Sequence, residues 1–483
     1  MARTALGIVS LARTDTDLAL AERLFENLRG RILDGLWRYG EKLPGTRLIA
    51  RDAGVSRWTA VVAVDMLIAE GLVEARKRSG TYVAWRGERR KGEHAAPLSA
   101  PPLNAPFAIA VPALDLFPMH AWRRLQGRRW RQMPPEALED GDRAGWPPLR
   151  QAIAEYAATI RGIQCTADQV FVVSSVEAGG RLIAKGLCRP ASLAWVEEPG
   201  SVIARSAVTS SNMEPIPVTL DREGIDVADG CRLAPMASLA VVTPAAQFPT
   251  GIRMSDARRR RLLEWAASAN SWILEVAHGS EFPFDYQQSR PLAAMPGADR
   301  VIYFDTFGKL LFPAVRVAFL IVPQGALARI QESKPTLDLP PSLPTQIVLA
   351  DFLASGQFAK HLRRCRDAYT ERRLALLDAL HRECGDMLTI EPDQHGLHLC
   401  ARLPAGTDDV ALAAKLREAG IVADALSPYH ANPTNDRGLL LGYAAHRPEA
   451  LREGIKKLAG VLNAFASLHD RAATGRANVP KVG

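Results

Sequence analysis

Residues 305 to 316 read DTFGKLLFPAVR. Lys309 follows the apolar run RVIYF and precedes VRVAFLIV, a pattern that predicts a tight connection between two buried strands, with Arg316 seven residues further on. A lysine in that place is either a chemical handle or a solvated loop cation, and spacing alone favours the second, because most lysines near strand ends are surface charges. The surrounding chain has to decide.

Working outward, DQVFVVSS, SLAWVEEPG, SLAVVTPAAQFPTG, SWILEVAHG, RVIYFDTFGK and RVAFLIVP read as strands, and helical patterns such as EAGGRLIAKGLC and DARRRRLLEWAASAN separate several of them. Strands alternating with helices predict an α/β domain with a mainly parallel sheet over residues 106–470. In such sheets ligands gather outside the strand ends, so the loops holding Ser175, Thr243, Val276 and Lys309 are expected to face one pocket.

The whole chain has 483 residues, 47% of them hydrophobic, which is enough for more than one packed core. No apolar run reaches the length of a membrane span, and the start MARTALGIVSLARTD has too short an apolar stretch for a secretory signal, so a cytoplasmic location and no membrane partner are expected. Six cysteines are scattered without a C-x-x-C pair, which argues against a zinc site or a disulfide framework and for reduced thiols. The net charge of +8 is uneven: residues 1 to 91 hold 17 Lys and Arg against 11 Asp and Glu. Such asymmetry suits a module that meets polyphosphate, although a solvated basic face has the same composition.

Pattern within that segment sharpens the expectation. DLALAERLFENLRGRILDG puts Leu18, Ala21, Leu24, Leu28 and Ile32 on one helical face and ends at Gly35. LPGTRLIARDAGVSRWTAVVAVDMLIAEGLV then predicts a short helix from about Thr46, a turn at Ala53 and Gly54, and a helix capped by Ser56. That last helix carries Ala60, Val64, Leu67 and Ile68 on one stripe, with Arg57, Trp58 and Val61 pointing elsewhere. After Gly71, LVEARKRSGTYVAW reads as a hairpin whose tip bears Arg76, Lys77 and Arg78. Beyond Trp85 a charged, then proline- and alanine-rich stretch marks a linker over 85–105, and 471–483 reads as a tail.

The ordered set LPGTRLIARDAGVSRWTAVVAVDMLIAEGLVEARKRSGTYV resembles the winged helix-turn-helix domain of GntR-type transcriptional regulators over about residues 18 to 84. The resemblance implies duplex DNA as partner and places Arg47 and Arg57 against phosphates and base edges, with Ser56, Thr59, Ser79, Gly80 and Thr81 at matching positions. Trp58 stands where a small polar residue is more usual.

Residues 107 to 465 resemble a fold-type I, pyridoxal-phosphate-dependent aminotransferase through DLFPMHAWRRLQGRRW, GDRAGWPPLRQAIAEY, TPAAQFPTG, GSEF, FGKLLFPAVR and GLLLGYAAHRPEALREGIKKLAGVL. The two parts together resemble the MocR subfamily of GntR regulators. This resemblance implies that Lys309 forms the internal Schiff base, that Arg316 clamps the cofactor phosphate with help from Ser174 and Ser175 at a helix start, and that the protein is a homodimer.

Departures from the family are as informative as matches. Val276 occupies the position of the aspartate that keeps the pyridine nitrogen protonated, and His278 that of a tyrosine on the cofactor oxygen, where an imidazole can still donate. Ser201 replaces a tyrosine, Glu177 lies close to the phosphate position, and Leu440 replaces the arginine that holds a substrate α-carboxylate. Three readings follow. The leading one is a DNA-binding regulator whose large domain binds pyridoxal phosphate or a related small-molecule effector, such as an amino acid, without efficient transamination. The others are an active aminotransferase with an attached DNA-binding module, and a regulator whose large domain is a cofactor-free scaffold.

Overall fold

The computed structural model describes residues 17–33, 35–76, 79–85, 105–133, 135–139, 141–277, 282, 290–333, 340–391 and 395–476. They form two compact units that divide near residue 100.

In the first unit α1 (Asp17–Leu33), α2 (Thr46–Ala53) and α3 (Arg57–Ala69) precede a hairpin of β1 (Val73–Arg76) and β2 (Gly80–Val83). Leu24, Leu28 and Ile32 of α1 pack on Ile49 of α2, on Ala60, Ala63, Val64 and Leu67 of α3, and on Val73 and Val83 of the hairpin. The expected stripe on α3 needs one correction: Ile68 is 37% exposed. A helix turns about 100° per residue, so a face centred on 60, 63, 64 and 67 leaves residue 68 on its flank.

The second unit opens with α4 (Met119–Arg131) and α5 (Pro147–Tyr156) and is built on an eight-stranded sheet. Its strands are β3 (Val170–Val173), β4 (Leu193–Glu198), β5 (Glu214–Asp221), β6 (Gly224–Ile225), β7 (Leu239–Val242), β8 (Trp272–Val276), β9 (Val301–Thr306) and β10 (Ala318–Ile321). They run in the order β3-β10-β9-β8-β7-β4-β5-β6. Neighbours from β9 through β5 are parallel, as the alternation predicts, and α6 (Val176–Leu187), α7 (Val202–Ser210), α8 (Val227–Leu233) and α9 (Asp256–Ser268) fall between strands. Both faces are covered. Val172, Tyr303 and Phe319 enter one core, while Phe171, Phe304 and Leu320 enter another, which is why these strands read as unbroken apolar runs.

β10 departs from the parallel rule, lying antiparallel to both β9 and β3. The stretch joining β9 to β10 holds only the short α10 (Phe307–Leu310) and a single turn of 3₁₀ helix over Pro313–Val315. A parallel return needs a crossover of a dozen or more residues, so this connection sends the chain straight back. β5 was not apparent as a strand, because Pro215 and Pro217 interrupt it. Its tolerance for them follows from its place near the sheet edge, where a missing N–H leaves no central ladder bond unmade.

The chain continues through α11 (Leu327–Ser333), α12 (Leu343–Ala354) and α13 (Gln357–Cys384) into a four-stranded antiparallel sheet. That sheet comprises β11 (Thr389–Ile390), β12 (His398–Arg402), β13 (Asp424–Ala425) and β14 (Gly438–Gly442), with α14 (Asp409–Glu418) inserted and α15 (Pro448–Arg476) following. Gly442 receives the segment around Phe107, and a Cβ there would lie 2.2 Å from the Ala108 carbonyl oxygen. All six cysteines are free thiols. Among the described residues no helix is long and apolar enough to cross a membrane, and no group of three His, Cys, Asp or Glu could hold a metal ion.

Candidate functional site

The first unit exposes Arg57 and Trp58 at the start of α3. α2 stops at Gly54, whose left-handed backbone lets its amide bond the Ala50 carbonyl, and two residues later Ser56 opens α3. The Thr59 N–H donates to Ser56 Oγ at 3.0 Å, and the two hydroxyls lie 2.7 Å apart. Thr59 is fully buried, so this pair sets the helix start, and the surface beside it belongs to Arg57 and Trp58. Arg47, in the first turn of α2, is exposed as well.

In the hairpin Arg76 pairs across from Gly80, its guanidinium lies 4.5 Å over the Tyr82 ring, and Glu74 bonds it. Lys77 and Arg78 lie outside the described residues. Lys42 crosses the hairpin, its Nζ 5.9 Å from the Tyr82 ring centre, and a Cβ at Gly80 would come within 2.6 Å of its Cε. Glycine therefore serves two needs at position 80, a φ of +121° and room for Lys42. Lys42 and Tyr82 were missed in the sequence because their contact is tertiary and follows no local spacing.

In the second unit the strand register assembles the other site. Ala318 on β10 lies opposite both Val173 on β3 and Thr306 on β9, so Ser174 and Phe307 leave the sheet at one level. They are two strand spacings apart, about 10 Å. Thr243 after β7 and Ala277 after β8 leave at the same end, since their strands run parallel to β9. Ser174, Ser175, Thr243, Val276, Lys309 and Arg316 thus stand at one end of the sheet, whereas His278 lies outside the described residues.

Local bonds hold the Lys309 turn. Thr306 Oγ1 accepts from the Gly308 N–H at 3.1 Å, the Phe307 N–H donates to the Val317 carbonyl at 2.9 Å, and buried Phe307 and Leu310 anchor the turn on both sides. Lys309 itself is half-buried, and Arg316 is exposed at φ +46°. A left-handed arginine is uncommon, and here it ends the 3₁₀ turn of the β9–β10 connection. Ser175 Oγ accepts from the Ala178 N–H at 3.3 Å and caps α6, whose first turn presents free N–H groups to an anion. Glu177 is half-buried in that same turn.

His398, which sequence reasoning missed, lies near enough to Lys309 to feel its charge. Its Nε2–H donates to the Pro249 carbonyl at 2.8 Å and its ring meets Phe248 edge-on at 5.2 Å. Burial, with the nearby charge of Lys309, lowers it to about 4, so it stays a neutral imidazole whose Nδ1 is an acceptor. An apolar cluster shares Phe248 with it: buried Leu440 packs with Cys400 and Leu426 against Ile109, Phe248 and Tyr429. No cation takes the place of Leu440 in that cluster.

Near the end of β4 Glu197 is buried among donors. The Thr243 N–H (3.0 Å), the Thr243 hydroxyl (2.6 Å) and Gln247 Nε2 (3.3 Å) all reach its carboxylate. Burial raises it to about 7 against those bonds. Gln247 also donates to the Pro199 and Phe248 carbonyls and accepts from Thr250, so its amide is spent on the loop.

Comparison with known proteins bears on both units. The pattern of the family "Bacterial regulatory proteins, gntR family" matches residues 20–83, and that of "Aminotransferase class I and II" matches residues 113–458. The chain is 34% identical to the probable rhizopine catabolism regulatory protein MocR of Rhizobium meliloti, covering 94% of this chain and 96% of that protein. It is 28% identical to the pyridoxine biosynthesis transcriptional regulator PdxR of Corynebacterium glutamicum, over 90% of this chain and 94% of that one. Among solved structures it resembles LysN, the α-aminoadipate aminotransferase of Thermus thermophilus complexed with N-(5'-phosphopyridoxyl)-L-leucine. That likeness has a TM-score of 0.69 at 26% identity and covers 75% of this chain and 92% of LysN.

Proposed function

We propose, from a chain that belongs to the MocR-type GntR transcriptional regulators, that its N-terminal unit binds duplex DNA while its large domain holds pyridoxal phosphate at Lys309 as a sensed ligand. The observation that carries the second half is the register, which gathers Lys309, Arg316 and the start of α6 at one end of the sheet.

Pyridoxal phosphate, when bound, supplies an electrophilic carbon and an electron-withdrawing ring. The residues present fit its aldehyde and phosphate: a half-buried lysine for the first, an exposed arginine, Ser174 and the first turn of α6 for the second. They do not fit the ring nitrogen, because Val276 offers no carboxylate to hold a proton there. Lys309 would hold the aldehyde only as the neutral amine, and the neutral His398 nearby adds no second charge to that end of the sheet. The apolar cluster around Leu440 gives a substrate carboxylate no counter-charge. Efficient transamination is therefore not expected, since it needs both the protonated ring and a held substrate.

A ligand of this class suits a relative named for pyridoxine biosynthesis. The protein acts on DNA in the cytoplasm, as a homodimer on two half-sites related by its symmetry. The test is to load the full-length protein with pyridoxal phosphate, reduce with borohydride and map the added mass. Wild type is expected to carry it on the Lys309 peptide, and Lys309→Ala to carry none. Label spread over surface lysines, or none on wild type, would leave the large domain a scaffold.

A further inference from the structure

The face that α3 turns to solvent is apolar where a DNA-reading helix needs base contacts. Arg57, Trp58, Val61, Val62 and Asp65 fall within about 140° of one another around the axis, at 100° per residue. Opposite them Ala60, Ala63, Val64 and Leu67 are buried against α1 and α2. Trp58 is 55% exposed, although nothing in the fold of this unit requires a large ring there, and Val61 and Val62 are half-buried beside it. Arg57 is the single cation of this face, and Asp65 lies two turns from the N-terminus of α3, beyond the residues that reach base edges in a helix of this type.

The occupant follows from the chemistry of the groove. In the major groove every base edge is polar except one: thymine carries a C5-methyl group, the apolar feature by which a side chain tells it from the other bases. An indole flanked by two valines leaves no hydrogen-bond donor other than its single N–H, so it buries methyls better than it reads polar edges. Resting on the reading of this unit as a duplex-DNA binder, we propose that Trp58, with Val61, recognises thymine methyl groups in the operator, and that Arg57 supplies the hydrogen-bonded readout of an adjoining guanine. The half-site therefore pairs a guanine with neighbouring thymines. Trp58 is the specificity-determining residue of the pair, because it is the larger and more exposed of the two apolar groups.

The test removes the methyls without touching the protein. A duplex is first selected from a random pool by the full-length wild-type chain, then resynthesised with deoxyuridine in place of thymidine at each position in turn. Wild type is expected to lose about fourfold in affinity at each contacted position, the worth of one buried methyl. Full-length Trp58→Asn is expected to bind thymidine and deoxyuridine duplexes equally at the Trp58 position, while keeping its preference for the guanine read by Arg57. Wild type that binds the selected duplex but is indifferent to deoxyuridine everywhere would overturn this inference and leave DNA binding standing. Failure to select any duplex would instead overturn the reading on which it rests.

Discussion

Glu197→Gln probes the buried carboxylate near the end of β4, and its effect follows from the bonds it accepts. Glu197 is fully buried and moves from an ordinary value of 4.5 to about 7, with three donors from Thr243 and Gln247 resisting the rise. Because the folded value lies above the unfolded one, the fold is favoured with Glu197 protonated, and this contribution is lost as pH climbs from the unfolded to the folded value. In full it amounts to about 3 kcal/mol, of which about 2.5 kcal/mol falls between pH 5 and pH 8. Glutamine cannot ionise, so the gap in stability between wild type and Glu197→Gln should change by that amount across the interval, in the sense that wild type weakens relative to the variant as pH rises. Histidines and other groups titrating in the same window are common to both proteins and cancel. Urea unfolding of the full chain at several pH values provides the assay, read by the fluorescence of Trp195, which stacks on Trp265 at 3.8 Å just before Glu197 on β4. Parallel curves for the two proteins from pH 5 to pH 8 would refute the reasoning: the donors would then have fully offset the cost of burying the charge.

Val276→Asp should tighten pyridoxal phosphate by roughly tenfold, the worth of one charge-assisted hydrogen bond at the ring nitrogen, in an absorbance titration of full-length protein. Ser56→Ala removes the cap of α3 and the partner of the Thr59 hydroxyl, so it should cost about 1 kcal/mol, seen as faster hydrogen exchange at the α3 amides. Arg57→Ala should cost about 1–3 kcal/mol at its own guanine and relax the preference there, whereas Arg76→Ala should weaken all duplexes evenly in gel shifts, and by less, because Glu74 already neutralises part of its charge.

Much of the molecule is present in local pattern. The helical period of Leu24, Leu28 and Ile32, the Ser56 cap and the glycine at 54 suffice to order the elements of the first unit, because capping and amphipathicity act within a few residues. The apolar runs around DTFGKLLFPAVR likewise place Lys309 between two strands, since strands covered on both faces leave that signature. Other features needed the folded chain. Thr59 and Arg57 are two residues apart in one motif, yet one is sealed in a cap and the other exposed, a distinction set by which side of α3 meets α1. Ser174 reaches the level of Phe307 only because Val173 and Thr306 both register on Ala318, and pairing between strands so distant in sequence is decided by whole-sheet packing. The same holds for Lys42 over Tyr82, for His398 near Lys309, and for the Gln247 amide bonded to Glu197. Each of these is a contact between segments that share no local period, so burial and hydrogen-bond satisfaction across the assembled core selected it.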